Sequence, residues 1–372
     1  MRRQVINNRA YLWIFVTFVL LAGCDDQRIL EKTGFIHSTS FDLLPDGKIN
    51  YAISVPIANP EIKTSREFLS TVAKSSKEGR INLAKQTNLT LVSGQLRTAL
   101  FGLSLAKKGI WDYMDTLMRD PTISEQAKII VVNGDAKSLL ERNYRSYPRT
   151  GRYIDRLIQK EAKGHAIPLT TIYTFVRDYY DDGIDPIVPI IKNAGETLAI
   201  DGIALFKDDK YVGKIKSEDA LIFSFIYHSF KHGELSIDLK EEELQDSKTV
   251  MLSSLNSSKK VDVKHEESGQ TKVIIHANVT ASILEYVGEL KLSDDASRRK
   301  LEREISDIIT QRAERIIKYL QDKKTDSLGI GTYVRNSMTY SGWKETSWHD
   351  KYPNLNVQVK LNVRIKEYGF RH

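Results

Sequence analysis

The sequence predicts a multi-domain protein of mixed class. An α/β N-terminal part is built on a mixed sheet, and an α+β C-terminal part packs an antiparallel sheet on a long helix. Three observations carry this. Residues 127–132 form a short continuous apolar run among helical segments, the pattern of a central strand buried on both faces. Leu301, Ile305, Ile308, Ile309, Ile316, Ile317 and Leu320 form one stripe of a long helix that starts after Ser293 and is charged on its other face. Leu355, Val357, Val359, Leu361, Val363 and Ile365 alternate without a break with polar residues, the clearest strand in the chain.

The remaining elements follow in order. Gly47-Lys48 opens a strand in which Ile49, Tyr51, Ile53 and Val55 alternate with Asn50, Ala52 and Ser54, which predicts one buried face. Phe68, Leu69, Val72 and Ala73 recur at helical spacing, so a helix is expected from about Ser65 to a stop at Gly79. Residues 95–101 read as a strand and 103–108 as a helix closed by Gly109. Trp111, Met114, Leu117 and Met118 line one side of a further helix, which Asp120-Pro121 breaks. Gly134-Asp135 caps the next helix, from Ala136 to about Arg142. Tyr153, Ile154, Leu157 and Ile158 mark another, and Ile172, Phe175, Val176 and Tyr179 one more.

Residues 187–191 are strand-like but contain Pro189, which predicts a sheet edge. Residues 197–206 and 211–215 form a hairpin that turns at Asp208-Asp209. Ser217 is placed to cap a helix running to about Lys231, with Gly233 as its stop. Strands are expected over residues 235–239, 248–255, 260–265 and 272–286, with Glu267-Ser268-Gly269-Gln270 as a turn. The expected division is a leader over 1–23, an α/β domain over 24–195, a hairpin-helix domain over 196–245 that can share strands with the first, and an α+β domain over 246–372.

The leader carries the most specific chemistry. Arg2, Arg3 and Arg9 precede an apolar run over residues 10–22, and Asp25-Asp26-Gln27-Arg28 turns polar at once. A basic head, a short apolar stretch and small residues before a cut describe a secretory signal peptide. The run is shorter than the ~20 residues of a membrane span. Leu21-Ala22-Gly23-Cys24 reads as a lipobox: cleavage between Gly23 and Cys24, with diacylglycerol in thioether linkage on Cys24. The alternative reading of the stretch is an ordinary signal peptide or short anchor. Cys24 is the one cysteine in the chain, so no internal disulfide can form. Burial of acyl chains stabilises attachment by ~0.8 kcal/mol per methylene, and two or more chains on one residue make it effectively permanent.

Removing 23 of 372 residues leaves 349, and three of the 55 basic residues leave with the leader against 48 acidic ones, a balance of +4. That charge argues only weakly for nucleic acid or anionic lipid. Apolar content of 41% and 28% charged residues are globular values and exclude a disordered chain.

No catalytic constellation emerges. His228 and His232 have the i,i+4 spacing that places two imidazoles on one helix face, but no glutamate or third ligand accompanies them. Gly102-Leu103-Ser104-Leu105-Ala106 lacks the final glycine of a nucleophile elbow and reads as a helix start after a strand. Gly329-Ile330-Gly331 is not a phosphate loop. Asp181-Asp182, Asp208-Asp209 and Asp294-Asp295 fall at turns or a helix start. Trp343, Trp348 and Tyr352-Pro353 read as core anchors. The residues predict a protein that is not an enzyme and has no metal or cofactor. No ligand-binding residues are nominated.

Other residues carry a resemblance. Asp26-Gln27-Arg28-Ile29-Leu30-Glu31 and Gly34-Phe35-Ile36 follow the lipobox. Gly94-Gln95-Leu96, then Leu105-Ala106-Lys107-Lys108-Gly109-Ile110, Arg119-Asp120-Pro121 and Val131-Val132-Asn133-Gly134-Asp135-Ala136 come next. The segment from Asp201-Gly202 through Phe206-Lys207 and Lys210-Tyr211-Val212-Gly213 matches the pattern G-x-A-x-F-K-x-x-K-x-V-G. Asp326-Ser327-Leu328-Gly329-Ile330-Gly331 precedes Trp343, Trp348 and Tyr352-Pro353-Asn354. In this order the motifs resemble the Ger(x)C family, the lipoprotein C subunit of bacterial spore germinant receptors. The family's usual Cys-Trp-Asp start is changed at Asp25, which leaves the particular receptor open.

The resemblance implies a three-domain, non-enzymatic lipoprotein, lipidated on Cys24 and held at the outer face of the cell membrane or spore inner membrane. There it would assemble with integral-membrane A and B subunits that respond to small nutrients. The hairpin over residues 202–213 is the expected docking element, against the reading that it is only structural. The rival function is an extracytoplasmic solute-binding lipoprotein that captures a small nutrient itself.

Overall fold

The computed structural model describes residues 32–57, 66–145, 147–239, 248–266 and 270–368. Its N-terminal part begins with β1 (Thr33–Phe35), β2 (Ser38–Leu43), β3 (Ile49–Pro56), β4 (Arg66–Ala73), α1 (Ser76–Ala84), β5 (Thr90–Val92) and β6 (Thr98–Gly102). Next come α2 (Leu103–Lys108), α3 (Trp111–Arg119), β7 (Lys128–Val132), α4 (Ala136–Glu141), α5 (Thr150–Lys163), α6 (Ile172–Tyr180), β8 (Ile187–Asn193), β9 (Leu198–Lys207) and β10 (Lys210–Lys216). Eight strands form one sheet in the order β10-β9-β8-β7-β6-β2-β3-β4, while β1 and β5 pair apart from it.

Helices cover both faces of this sheet. Ile129 and Val131 of β7 enter a core shared with Leu105, Met114 and Phe175; Ile130 and Val132 enter a second core with Leu140, Ile154 and Ile158. Successive side chains of a strand point to opposite faces, so a strand apolar at every position must be covered twice. The mixed α/β class expected for this part is what the chain adopts.

The C-terminal part starts with α7 (Ser217–Tyr227), β11 (Phe230–Lys231), β12 (Leu235–Leu239), β13 (Lys248–His265) and β14 (Thr271–Val287). The long α8 (Asp295–Asp322) then leads through α9 (Ile330–Asn336), α10 (Tyr340–Lys344) and α11 (Trp348–Lys351) to β15 (Asn356–Glu367). Its sheet runs β11-β13-β14-β15, with β12 also on β13. The helix stripe expected from sequence buries Leu301, Ile305, Ile309, Ile316 and Leu320 under Leu361 and Val363 of β15. The same core takes in Ile203, Leu205 and Ile215 from the hairpin of the large sheet, so the two sheets share one apolar seam. Within α7, residues 220–226 are all buried, as a helix wedged between two layers must be.

Several expectations are corrected. The segment read as a helix from Ser65 is strand β4, paired with β3 from Pro56↔Arg66 to Ile49↔Ala73. As an edge strand it is half-buried over most of its length and lacks a clean alternation. The helix lies one element later, capped by Ser75, whose side chain accepts the Glu78 N–H; Gly79 is inside it and does not end it. Strand β2, between β3 and β6 in the sheet, carried no apolar signal and was not foreseen. Strand β3 is buried on both faces rather than one.

Pro189 does not mark an edge, because β8 lies between β7 and β9; only Ile190 and Ile191 pair with β7, so the missing amide falls just before that pairing begins. The two strands expected over 248–255 and 260–265 are one, bent at Ser254, which has φ +50°. Ser217 starts α7 but does not cap it, and the helix stops at Tyr227 because Phe230 and Lys231 join β13. The C-terminal sheet is antiparallel except at its last strand: β15 runs parallel to β14, which the long crossover through α8 allows.

Candidate functional site

The sequence-nominated site residues Gly23 and Cys24 lie outside the described residues. The histidine pair is not a helical pair. His228 is extended at the end of α7 and His232 has φ +73°, so their imidazoles do not share a helix face. His228 instead faces His165, Nε2 to Nδ1 at 3.2 Å. Burial, helped by His165 and Lys259, lowers its pKa to about 4, so it is neutral at pH 7. Among the described residues no group of three or more His, Cys, Asp or Glu side chains could hold a metal ion. Ser104 follows the turn from β6 into α2, a strand-to-helix junction.

The motif hairpin forms as expected, with Asp208 at φ +54° in its turn. Its contacts are internal. Asp209 accepts the Ile110 N–H on its carbonyl at 3.1 Å and the Trp111 N–H on Oδ2 at 3.0 Å, which ties the tip to the start of α3. Asp201 accepts from Asn133 at 2.8 Å and pairs with Lys192 at 3.1 Å and with Lys214. Gly202 sits at φ +126° with the Ile215 carbonyl oxygen occupying the place a Cβ would take, so no other residue fits. Along residues 202–213 only Asp208 and Lys210 are exposed. These contacts account for Asp201, Gly202 and Asp209 within the fold.

The densest polar cluster is the junction of the two parts, built from two loops. One precedes β8 and holds Asp181, Asp182, Gly183 and Asp185; the other follows α8 and holds Thr325, Asp326, Ser327 and Gly329. Asp185 donates its N–H to the Asp326 carbonyl at 3.1 Å, and Oδ2 of Asp185 accepts the Asp326 N–H at 2.6 Å. The Asp326 carboxylate then accepts the N–H of Ile330 at 2.9 Å, of Gly331 at 2.6 Å and the indole N–H of Trp348 at 3.1 Å. Thr325 donates its hydroxyl to the Phe206 carbonyl at 2.6 Å. Arg335 spans Asp181 and Asp182, and the Trp343 indole donates to Asp182 at 2.8 Å. Gly331 packs on Gly183, where a Cβ on Gly331 would lie 2.8 Å from the Gly183 Cα.

Burial governs the electrostatics here. Asp326 is 2% exposed; burial and the nearby Asp185 carboxylate push it up to about 7. Burial raises Asp185 as well. Lys259, mostly buried, donates to the Tyr227 carbonyl at 2.9 Å and is lowered to about 8. The Tyr352 hydroxyl is buried without a partner among the described residues. In this cluster the carboxylates hold backbone and indole N–H groups, and no hydroxyl or thiol nucleophile with an attending base stands beside them. The chemistry is that of a joint. Trp343, Trp348 and Tyr352 are buried anchors of that joint, as the sequence indicated. Asp326 was visible as part of a motif. Asp185 and Lys259 were not, because single charged residues in a loop and a strand give no signal of burial.

The fold is that of a mixed α/β protein whose two large sheets meet at a buried polar joint. Residues 26–193 match the family described as spore germination protein N-terminal domain, and residues 201–369 match spore germination B3/GerAC like, C-terminal. The chain belongs to this Ger(x)C family. It is 25% identical over 366 residues to the spore germination protein GerQC of Bacillus cereus, covering 97% of this chain and 99% of that one. It is 23% identical over 375 residues to YfkR of Bacillus subtilis (strain 168), also named for spore germination, covering 94% of each. The crystal structure of the GerBC protein shares the fold at a TM-score of 0.54 and 14% identity, over 91% of this chain and 99% of that chain. Among the described residues no helix is long and apolar enough to cross a membrane.

Proposed function

We propose that this chain is the lipoprotein C subunit of a nutrient germinant receptor. It is held by diacylglycerol on Cys24 at the outer face of the membrane that becomes the spore inner membrane, and it assembles there with integral-membrane A and B subunits. It acts by binding rather than by catalysis. The observation that carries this reading is the lipobox Leu21-Ala22-Gly23-Cys24 directly ahead of a chain that matches the germination family over residues 26–193 and 201–369. Anchoring confines the folded body to a thin layer above the membrane, which raises its effective concentration toward membrane partners without any new contact.

The test is Cys24→Ala in a sporulating host, read by spore membrane fractionation and by nutrient-triggered germination. Loss from the membrane fraction with slowed germination supports an anchored receptor subunit. Retention in the membrane with normal germination overturns lipid on Cys24 as the required anchor: either protein contacts suffice or the lipobox reading is wrong. Loss from the membrane with normal germination overturns the receptor role.

A further inference from the structure

The eight-stranded sheet ends unevenly beside a basic helix. Strand β10 pairs with β9 only from Gly202 to Lys207, so Leu198, Ala199, Ile200 and Asp201 run past its end, with no strand of the described residues on that side. The Leu198 N–H on this edge is taken by the Tyr153 hydroxyl of α5 at 3.2 Å, which brings the open edge against the helix. Amides two residues apart in a strand point to the same side, so the Ile200 amide faces the same way. A cleft of about 900 Å³ lies between this edge and α5.

One wall of the cleft is cationic. Arg149, Arg152, Arg156 and Lys160 line it; four-residue steps place Arg152, Arg156 and Lys160 on one face of α5, and Arg149 stands at its N-cap. The single acidic residue in the lining is Glu161, already paired with Lys160 at 2.5 Å. Arg152 and Arg156 have no carboxylate partner among the described residues, and both are exposed. Near the mouth Tyr147 stacks on Tyr153 at 4.0 Å and is 46% exposed, which adds an apolar platform beside the charges.

We propose that this cleft takes an extended acidic peptide segment of a protein partner, which adds to the free edge of β9 while its carboxylates meet the arginines of α5. Two features favour a peptide over other anions. An unpaired strand edge is satisfied by another backbone, the mode of β-augmentation. The spacings also match: every fourth residue of a helix advances ~6 Å and every second residue of an extended peptide advances ~6.6 Å, so alternate acidic side chains meet successive cations. Guanidinium forks bind carboxylates in bidentate fashion. A flat lipid surface reaches neither the floor of a cleft nor the Ile200 amide.

The test uses the full mature chain carrying Cys24→Ala and a fluorescein-labelled decapeptide of alternating Glu and Thr, read by anisotropy. An alternating Lys and Thr decapeptide and phosphatidylglycerol vesicles serve as comparisons. The acidic peptide should bind, and raised salt should weaken it. The double variant Arg152→Glu, Arg156→Glu, on an exposed face, should lower affinity at least about ten-fold with an unchanged melting temperature. Ile200→Pro, which removes the edge amide, should also weaken binding. No binding, equal binding of the basic peptide, or affinity unchanged in the double variant overturns the proposal. Binding of vesicles without the peptide assigns the cleft to the membrane, and self-association abolished by the double variant assigns it to a second copy; either overturns it. The assay contains no spores, so its failure is separable from failure of the receptor reading.

Discussion

Strands β2 and β15 show opposite relations between pattern and place. Strand β15 alternates apolar and polar residues because α8 covers one face and water the other. Strand β2, Ser-Thr-Ser-Phe-Asp-Leu, lies inside the large sheet and is buried at five of six positions, four of them polar. Three of these polar side chains are answered from elsewhere in the chain, and the Ser40 hydroxyl is buried without a partner among the described residues. Thr39 donates to the Ala52 carbonyl at 3.1 Å, and Ser38 accepts from Thr98 at 2.7 Å. Asp42 accepts the N–H groups of Ala136 and Lys137 at the start of α4, both at 2.7 Å. Polarity in a sequence marks water only when no internal partner exists.

The contrast can be broken at its strongest point. Asp42→Ala orphans the buried N–H of Ala136 and the part-buried N–H of Lys137, at about 1–3 kcal/mol for a buried group and less for the other, so urea unfolding should show a loss of about 3 kcal/mol. In β15 the expected pattern is alternation of effect: Leu361→Ala should cost about 3 kcal/mol, as a large-to-small core change does. Lys360→Ala, one residue away on the exposed face, should stay within about 0.5 kcal/mol.

The buried carboxylates sharpen the comparison through pH. Burial raises Asp42 to about 6 and Asp326 to about 7, above the ordinary value of 3.8. A carboxyl whose folded pKa is raised holds a proton that the unfolded chain releases. Its contribution is complete below about pH 4 and is lost as pH rises through 6 and 7. Urea midpoints should therefore fall between pH 4 and 7.5, and Asp326→Asn should flatten the upper part of that slope; an unchanged slope would count against the assignment. A smaller effect than that of Asp42→Ala or Leu361→Ala is expected for Thr39→Val, which removes one hydrogen bond of neutral groups and should cost about 1 kcal/mol in the same measurement.

Much of the fold was legible. The doubly buried run of β7, the hairpin of β9 and β10, the stripe of α8 and the alternation of β15 each report a local environment that repeats along the element, so periodicity reveals it. The failures share a cause. The four apolar residues read as a helix at residues 68–73 fit two periods, and only pairing with β3 selects the strand. Pro189 looked like an edge because the register that spares its amide depends on where pairing with β7 begins.

The junction and the basic cleft divide in the same way. Asp326, Gly331, Trp343 and Trp348 stood out as motif residues, yet their task appears only when Asp185, Gly183 and Asp182 arrive from the other loop, more than 140 residues earlier. The arginines of α5 could be counted, but not the strand edge beside them, because an unpaired edge is a property of where a neighbouring strand stops.

By itself the sequence determined the class of each half and the family, because these rest on local order and on motifs in series. The tertiary structure alone decided which polar groups are buried, which strands are neighbours and where cations converge. Those depend on distances between residues remote in sequence, and desolvation and hydrogen bonding are set by such distances.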